Sequence, residues 1–149
     1  MDTKLKADIA ESAVITELLR HGFNVLRPYG DRLPYDVAVE QNGCLVRIQI
    51  KSAWFESGSK RFKVDARQTK TNRRIMVRKH YSDNDFDFAV IYVSETNDFF
   101  IIPVAKFISY RSTVTIAEGN NGKVKQDRMR LKQYRNRWDL ISGSLSSNG

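Results

Sequence analysis

The sequence predicts an α/β domain in which helices flank a mixed, curved β-sheet. Three observations carry that expectation. A helix-period segment from Leu5 to His21 closes at Gly22, a C-terminal cap residue. Two runs of alternating apolar and polar residues, 35–41 and 44–53, flank Asn42-Gly43, the strongest short hairpin signal. Two strongly apolar runs, 86–94 and 99–105, are joined by the turn "ETND".

The remaining elements follow in order. "FNVLRP" from Phe23 reads as a short strand stopped by Pro28, and "YGDRLP" as a loop. "RFKVDAR" (61–67) is a fourth strand, whereas 68–85, "QTKTNRRIMVRKHYSDND", lacks strand alternation and reads as a loop with a helical turn. "VAKFISY" predicts a short helix, and "WDLISG" ends a last helix after a basic segment. The tail, 144–149, is polar and is expected to be disordered, so one domain should span 1–143.

The chain has 149 residues and is 41% hydrophobic, which is a globular composition. Its 25 Lys and Arg outweigh 17 Asp and Glu for a formal charge of +8, a field that attracts polyanions. A single cysteine, Cys44, excludes an internal disulfide, and with only His21 and His80 it argues against structural zinc. No run is long and apolar enough to span a membrane. "MDTKLKADIAES" carries charges where a signal peptide needs an apolar core, so a cytoplasmic protein is expected.

The hairpin concentrates unexpected polarity. A two-residue turn at Asn42-Gly43 sets Gln41 opposite Cys44 and therefore Asp36 opposite Gln49 on one face, with Cβ atoms ~5 Å apart. Lys51 points to that face too, while Val37, Val39, Val46 and Ile48 form the opposite, core-facing side. On the first helix, Glu11 falls within the stripe of Ala7, Val14, Ile15 and Leu18. A carboxylate buried there needs a cation or a metal as partner. Two carboxylates and an amide oxygen form a hard-oxygen set suited to Mg²⁺, and a nearby lysine suits phosphate or attacking water. These are the requirements of phosphodiester hydrolysis. The alternatives for each residue alone are turn chemistry at Asp36, a solvated strand face at Gln49 and Lys51, and a structural ion pair at Glu11.

In this order, a glutamate on the first helix, an aspartate at a strand start and a hairpin leading to x-x-Lys, the chain resembles the PD-(D/E)XK nuclease superfamily. The resemblance is closest to the homing endonucleases encoded in cyanobacterial tRNA group I introns. It extends through "GDRLPYD", "TNRR", "NDFDFAV" and "FISY", and the helix glutamate is also similar to that of archaeal Holliday-junction resolvases. The resemblance implies a restriction-endonuclease-like core, with Asp36 as principal metal ligand, Glu11 as second carboxylate, Gln49 as an adjusted ligand and Lys51 as catalytic lysine. Gln49 departs from the usual Asp or Glu, keeping one oxygen and removing a charge.

Two basic stretches suit duplex DNA. The first holds Lys60, Arg61, Lys63, Arg67, Lys70, Arg73, Arg74, Arg78 and Lys79; the second holds Lys123, Lys125, Arg128, Arg130, Lys132, Arg135 and Arg137. "TKTNRR", with Asn72, Arg73 and Arg74, is a base-reading candidate. The expected activity is a Mg²⁺-dependent, site-specific double-strand DNA endonuclease. The resemblance adds a tRNA-gene target and a homo-oligomer, tetramer or dimer. A junction resolvase and a non-catalytic DNA-binding module of the same fold are the alternatives.

Overall fold

A computed structural model describes residues 2–71, 76–116 and 130–147. Helix α1 (Thr3–Arg20) starts where the Asp2 side chain accepts the Lys4 N–H at 3.0 Å. It ends before Gly22, whose φ of +81° lets the chain reverse into β1 (Asn24–Leu26). Strands β2 (Val37–Gln41) and β3 (Cys44–Ser52) form the hairpin, with Gln41 opposite Cys44 and Val37 opposite Ile48. Asn42 and Gly43 both take positive φ, 53° and 82°, as a primed turn requires.

After β3 come β4 (Trp54–Glu56), β5 (Arg61–Asp65), β6 (Arg67–Thr71) and β7 (Met76–His80). Then follow β8 (Phe88–Val93), β9 (Asp98–Pro103), α2 (Val104–Ile108) and β10 (Thr113–Ile116). A 3₁₀ turn (Arg130–Tyr134) precedes α3 (Asp139–Ser147). The main sheet has the order β1-β2-β3-β8-β9; β3 and β8 are parallel and the other neighbours antiparallel. Parallel partners cannot be joined by a tight turn. Here the crossover from β3 to β8 is a β-excursion. It contributes β4 and β5 to a second sheet, β10-β5-β4, and β6 and β7 to a two-stranded ribbon.

The main sheet buries both faces. Ala10, Val14 and Leu18 of α1 and Ile141 and Leu145 of α3 pack on Val46, Ile48, Ile50, Val90 and Ile101. On the other side, Ala89, Ile91 and Val93 meet Phe62, Val64, Phe86, Phe107 and Val114. Every residue of β8 is therefore buried, which explains its unbroken apolar run. Asp87 fastens this strand to β3: its carboxylate accepts the Arg47 backbone N–H at 2.8 Å and its own N–H donates to the Arg47 carbonyl at 2.9 Å.

Three expectations are corrected. Within 68–85, residues 68–71 and 76–80 are strand rather than loop, because β6 and β7 pair from Arg67↔His80 to Thr71↔Met76, while 81–85 are irregular as expected. A ribbon standing clear of the main sheet is held by its ladder and needs no apolar alternation, so period-based reading misses it. Strands β4 and β10 were also absent from the sequence reading, being edge strands of a small sheet. Finally, disorder from residue 144 does not hold: α3 continues to Ser147 because Leu145 turns inward and is only 4% exposed. Replacing Leu145 by Ala should lower unfolding stability by about 2–3 kcal/mol in urea titrations. A disordered tail would give no change.

Candidate active site

The site forms where β2 begins and β3 ends. The β2–β3 ladder stops at Val37↔Ile48, leaving Asp36 one residue beyond it. The Asp36 N–H donates to the Ile48 carbonyl at 2.9 Å, and its carboxylate Oδ2 accepts the Ile50 N–H at 2.8 Å. Asp36 thus straddles Gln49, and its carboxylate takes the place of a missing ladder partner for β3. An aspartate at a strand start is here a structural acceptor as well as a candidate ligand.

Side chains of β3 alternate. Val46, Ile48 and Ile50 join the core beneath α1, so Gln49 and Lys51 occupy the other face, beside Ala89 and Ile91 of β8. The Gln49 amide nitrogen makes one long contact to the Ile50 carbonyl, 3.5 Å. Lys51 is half-buried; its Nζ donates to the Arg67 carbonyl at 2.8 Å and lies 5.0 Å from the centroid of the Tyr81 ring. Burial lowers the Lys51 pKa to about 8, against the opposing pull of Asp65 and Asp36. Asp36 moves the other way. Burial raises its pKa and the charge of Glu11 adds to that, while the Ile50 N–H and Lys51 pull it down.

Glu11 does not lie in the middle of the buried stripe. That stripe is Ala10, Val14 and Leu18, which leaves Glu11 on its flank, half-exposed. There it forms an ion pair with Arg27, just beyond β1. The sequence required a cation or metal partner, and Arg27 is such a cation. α1 covers the face opposite Gln49 and Lys51, so Glu11 meets the site only at the strand end, where it and Arg27 both act on Asp36.

Asp36, Gln49 and Lys51 are thus brought together, with Glu11 at their margin. Two further groups escaped the sequence reading. Tyr81, 8% exposed, immediately follows β7, and burial together with the charges of Asp36, Asp65 and Asp85 raises its phenol pKa. Asp65, at the end of β5, accepts the Arg67 backbone and guanidinium N–H groups at 2.9 and 3.1 Å. It also faces Arg78 at 3.6 Å. Burial alone would raise the Asp65 pKa, but these Arg67 bonds outweigh it and hold the carboxyl below its usual value. No local pattern marks either residue, since each acts on Lys51 from a distant part of the chain.

The basic residues divide between two places. Lys60 is exposed in the β4–β5 turn, Arg61 lies in β5, and Lys63 pairs with Glu56 across the ladder at 2.8 Å. Arg67, Arg78 and Lys79 belong to the ribbon, with Lys70 opposite Val77 in its ladder. Asn72, Arg73 and Arg74 lie outside the described residues, as do Lys123, Lys125 and Arg128 of the second stretch.

Among the described residues no three His, Cys, Asp or Glu side chains gather into a metal-sized group. The oxygen donors offered are mixed: the Asp36 carboxylate, the Gln49 amide oxygen and, at the margin, the Glu11 carboxylate, which is paired with Arg27. All are hard donors, which fits Mg²⁺ or a similar divalent cation.

Comparisons with known proteins agree with this architecture. A family model described as PD-(D/E)XK endonuclease matches residues 1–141. Among solved structures, the bacterial homing endonuclease I-Ssp6803I is 43% identical, with 99% of this chain and 96% of that chain covered and a TM-score of 0.84. MepB is similar in fold alone, at 12% identity, 83% and 94% coverage and a TM-score of 0.52. No curated protein matches. With the family model spanning nearly the whole sequence and a homing endonuclease 43% identical along its length, the chain belongs to the PD-(D/E)XK endonuclease family.

Proposed function

We propose that this nuclease is a divalent-metal-dependent, site-specific double-strand DNA endonuclease that acts through Asp36, Gln49, Lys51 and Glu11. The observation carrying the reading is the end of β3: an Asp36 carboxylate braced by Ile50 N–H, the Gln49 amide beside it, and a half-buried Lys51 ammonium on the same face. Asp36, Gln49 and Glu11 would hold Mg²⁺, which when bound supplies positive charge to the scissile phosphate. Lys51 donates a hydrogen bond to the attacking water or to a phosphate oxygen, fixing the approach. Water adds to phosphorus opposite O3′, the P–O3′ bond breaks, the water's proton passes to solvent and O3′ takes one from solvent. The products are a 3′-hydroxyl and a 5′-phosphate.

The ribbon is the reading's DNA arm, since Arg78 and Lys79 are exposed on it and Lys51 touches its base. Likeness to a homing endonuclease supports one long duplex target, for which we propose a tRNA gene that receives a group I intron. A chain of this size spans few base pairs, so a homo-oligomer with two-fold symmetry, dimer or tetramer, would read such a site. A second reading, a DNA-binding module without catalysis, is favoured by Gln49, which removes a charge from the ligand set.

Cleavage assays decide among these readings. With Mg²⁺, an intronless tRNA-gene duplex should be cut at discrete positions. Lys51→Met should slow that cut about a hundredfold or more while DNA binding stays within about twofold. Preference for a four-way junction would point to a resolvase, and tight binding with no cutting of any DNA to the non-catalytic module. Gln49→Glu should bind Mg²⁺ severalfold more tightly by calorimetry, because a carboxylate replaces a neutral amide beside Asp36. Unchanged affinity would remove Gln49 from the ligand set. For the arm, Lys79→Ala should reduce the slope of log affinity against log salt by about 0.9, one phosphate contact. An unaltered slope would place Lys79 off the DNA.

A further inference from the structure

Lys51 is held from both legs of the ribbon. Its Nζ donates to the carbonyl of Arg67, the first residue of β6, at 2.8 Å, and lies 5.0 Å from the ring centroid of Tyr81, the residue after β7. Arg67 and His80 are opposed in the ladder, so both contacts come from the ribbon's base. A lysine stem is long and flexible, and a lone carbonyl contact leaves it free to swing. An aromatic face beneath the ammonium restricts that swing and attracts the charge. The ring is itself fixed: Phe86 meets it edge-on at 5.1 Å, Phe107 lies 6.3 Å away, and Tyr81 is 8% exposed.

From this geometry we infer that Tyr81 is a positioning residue for Lys51, and that the Arg67–Tyr81 base couples the ribbon's engagement of DNA to the placement of the lysine. The inference rests on the nuclease reading above and adds the means by which its arm and its chemistry communicate. Arg67 and Arg78 both sit on Asp65 beside the lysine, so when phosphate competes for these guanidinium groups the segment that seats Lys51 is loaded directly. Removing the Tyr81 ring should therefore lower the rate of the chemical step and leave the strength of DNA binding alone.

The test compares single-turnover cleavage, DNA affinity and thermal stability for wild type, Tyr81→Leu, Tyr81→Phe and Phe86→Leu. Tyr81→Leu should cleave about tenfold to a hundredfold more slowly at unchanged DNA affinity. Tyr81→Phe, which keeps the ring, should recover most of that loss. Phe86→Leu thins the same aromatic cluster but leaves the ring under the ammonium, so it should lose stability and lose far less rate than Tyr81→Leu. A wild-type rate in Tyr81→Leu, or an equal rate loss in Phe86→Leu, overturns the inference. Should Tyr81→Leu fail to fold, the wild-type protein still decides the contact by NMR with ¹³Cε-labelled lysine. The Lys51 ε-methylene protons should be shifted upfield by the ring current, and ordinary lysine shifts overturn the contact. That spectrum is independent of cleavage. A protein that cuts no DNA would sink the nuclease reading while the ring-current shift still judged the lysine's seat.

Discussion

Parallel pairing of β3 with β8 shapes everything near the site. Because parallel neighbours need a crossover, the chain must leave β3 at Ser52 and return at Phe88. In many α/β proteins a helix makes that journey. Here the excursion is built from strands; it leaves from the end of β3, touches Lys51 at the base of the ribbon and re-enters the sheet opposite Ile48. The ribbon is therefore anchored against Lys51 by the topology of the sheet, and its two legs reach the lysine because they arise from the same detour. The buried β8 supplies the rigid floor: Ala89 and Ile91 flank Gln49 and Lys51 and have no exposed surface. A site on such a floor has little freedom to drift.

Charge in this pocket is balanced by pairing. Lys51 loses hydration on burial and is compensated by a carbonyl, an aromatic face and the fields of Asp65 and Asp36. Asp36 gains a backbone N–H in return for its own lost hydration. Asp65 is drawn into the Arg67 and Arg78 pairs, and Glu11 into Arg27. Each of these carboxylates thus has a partner already, and besides the Ile50 and Arg67 backbone N–H groups those partners are arginine side chains that phosphate could also claim. The arginines around the site are spent on its own carboxylates, while Lys51 rests on the Arg67 carbonyl.

Periodicity and turn chemistry were enough for the main sheet. The Asn42-Gly43 turn set the hairpin register, and that register carried Asp36 to within one residue of the ladder and put Lys51 on the polar face. Glu11 was read as lying within the apolar stripe of the helix, whereas the residues at 10, 14 and 18 define the buried stripe and Glu11 sits beside it. Arg27 was unreadable as its partner because the pair spans 16 positions with no periodic relation. The ribbon was missed for a different reason. β6 is wholly polar and the ribbon pairs with no strand of the main sheet, so no apolar alternation marks it.

What the sequence determined by itself is local: the residue types at 36, 49 and 51, their common face, and the basic surroundings suited to DNA. Each follows from a turn, a strand period or a charge count, which nearest neighbours settle. The tertiary structure alone decided that Lys51 stands between Arg67 and Tyr81, that Asp36 braces Ile50 N–H beyond the ladder, and that Glu11 answers to Arg27. Those contacts join segments far apart in the chain. The seat of Lys51 depends on how the parallel crossover folds back, and the Glu11–Arg27 pair on how the first helix lies against the sheet; no spacing within any one segment encodes either.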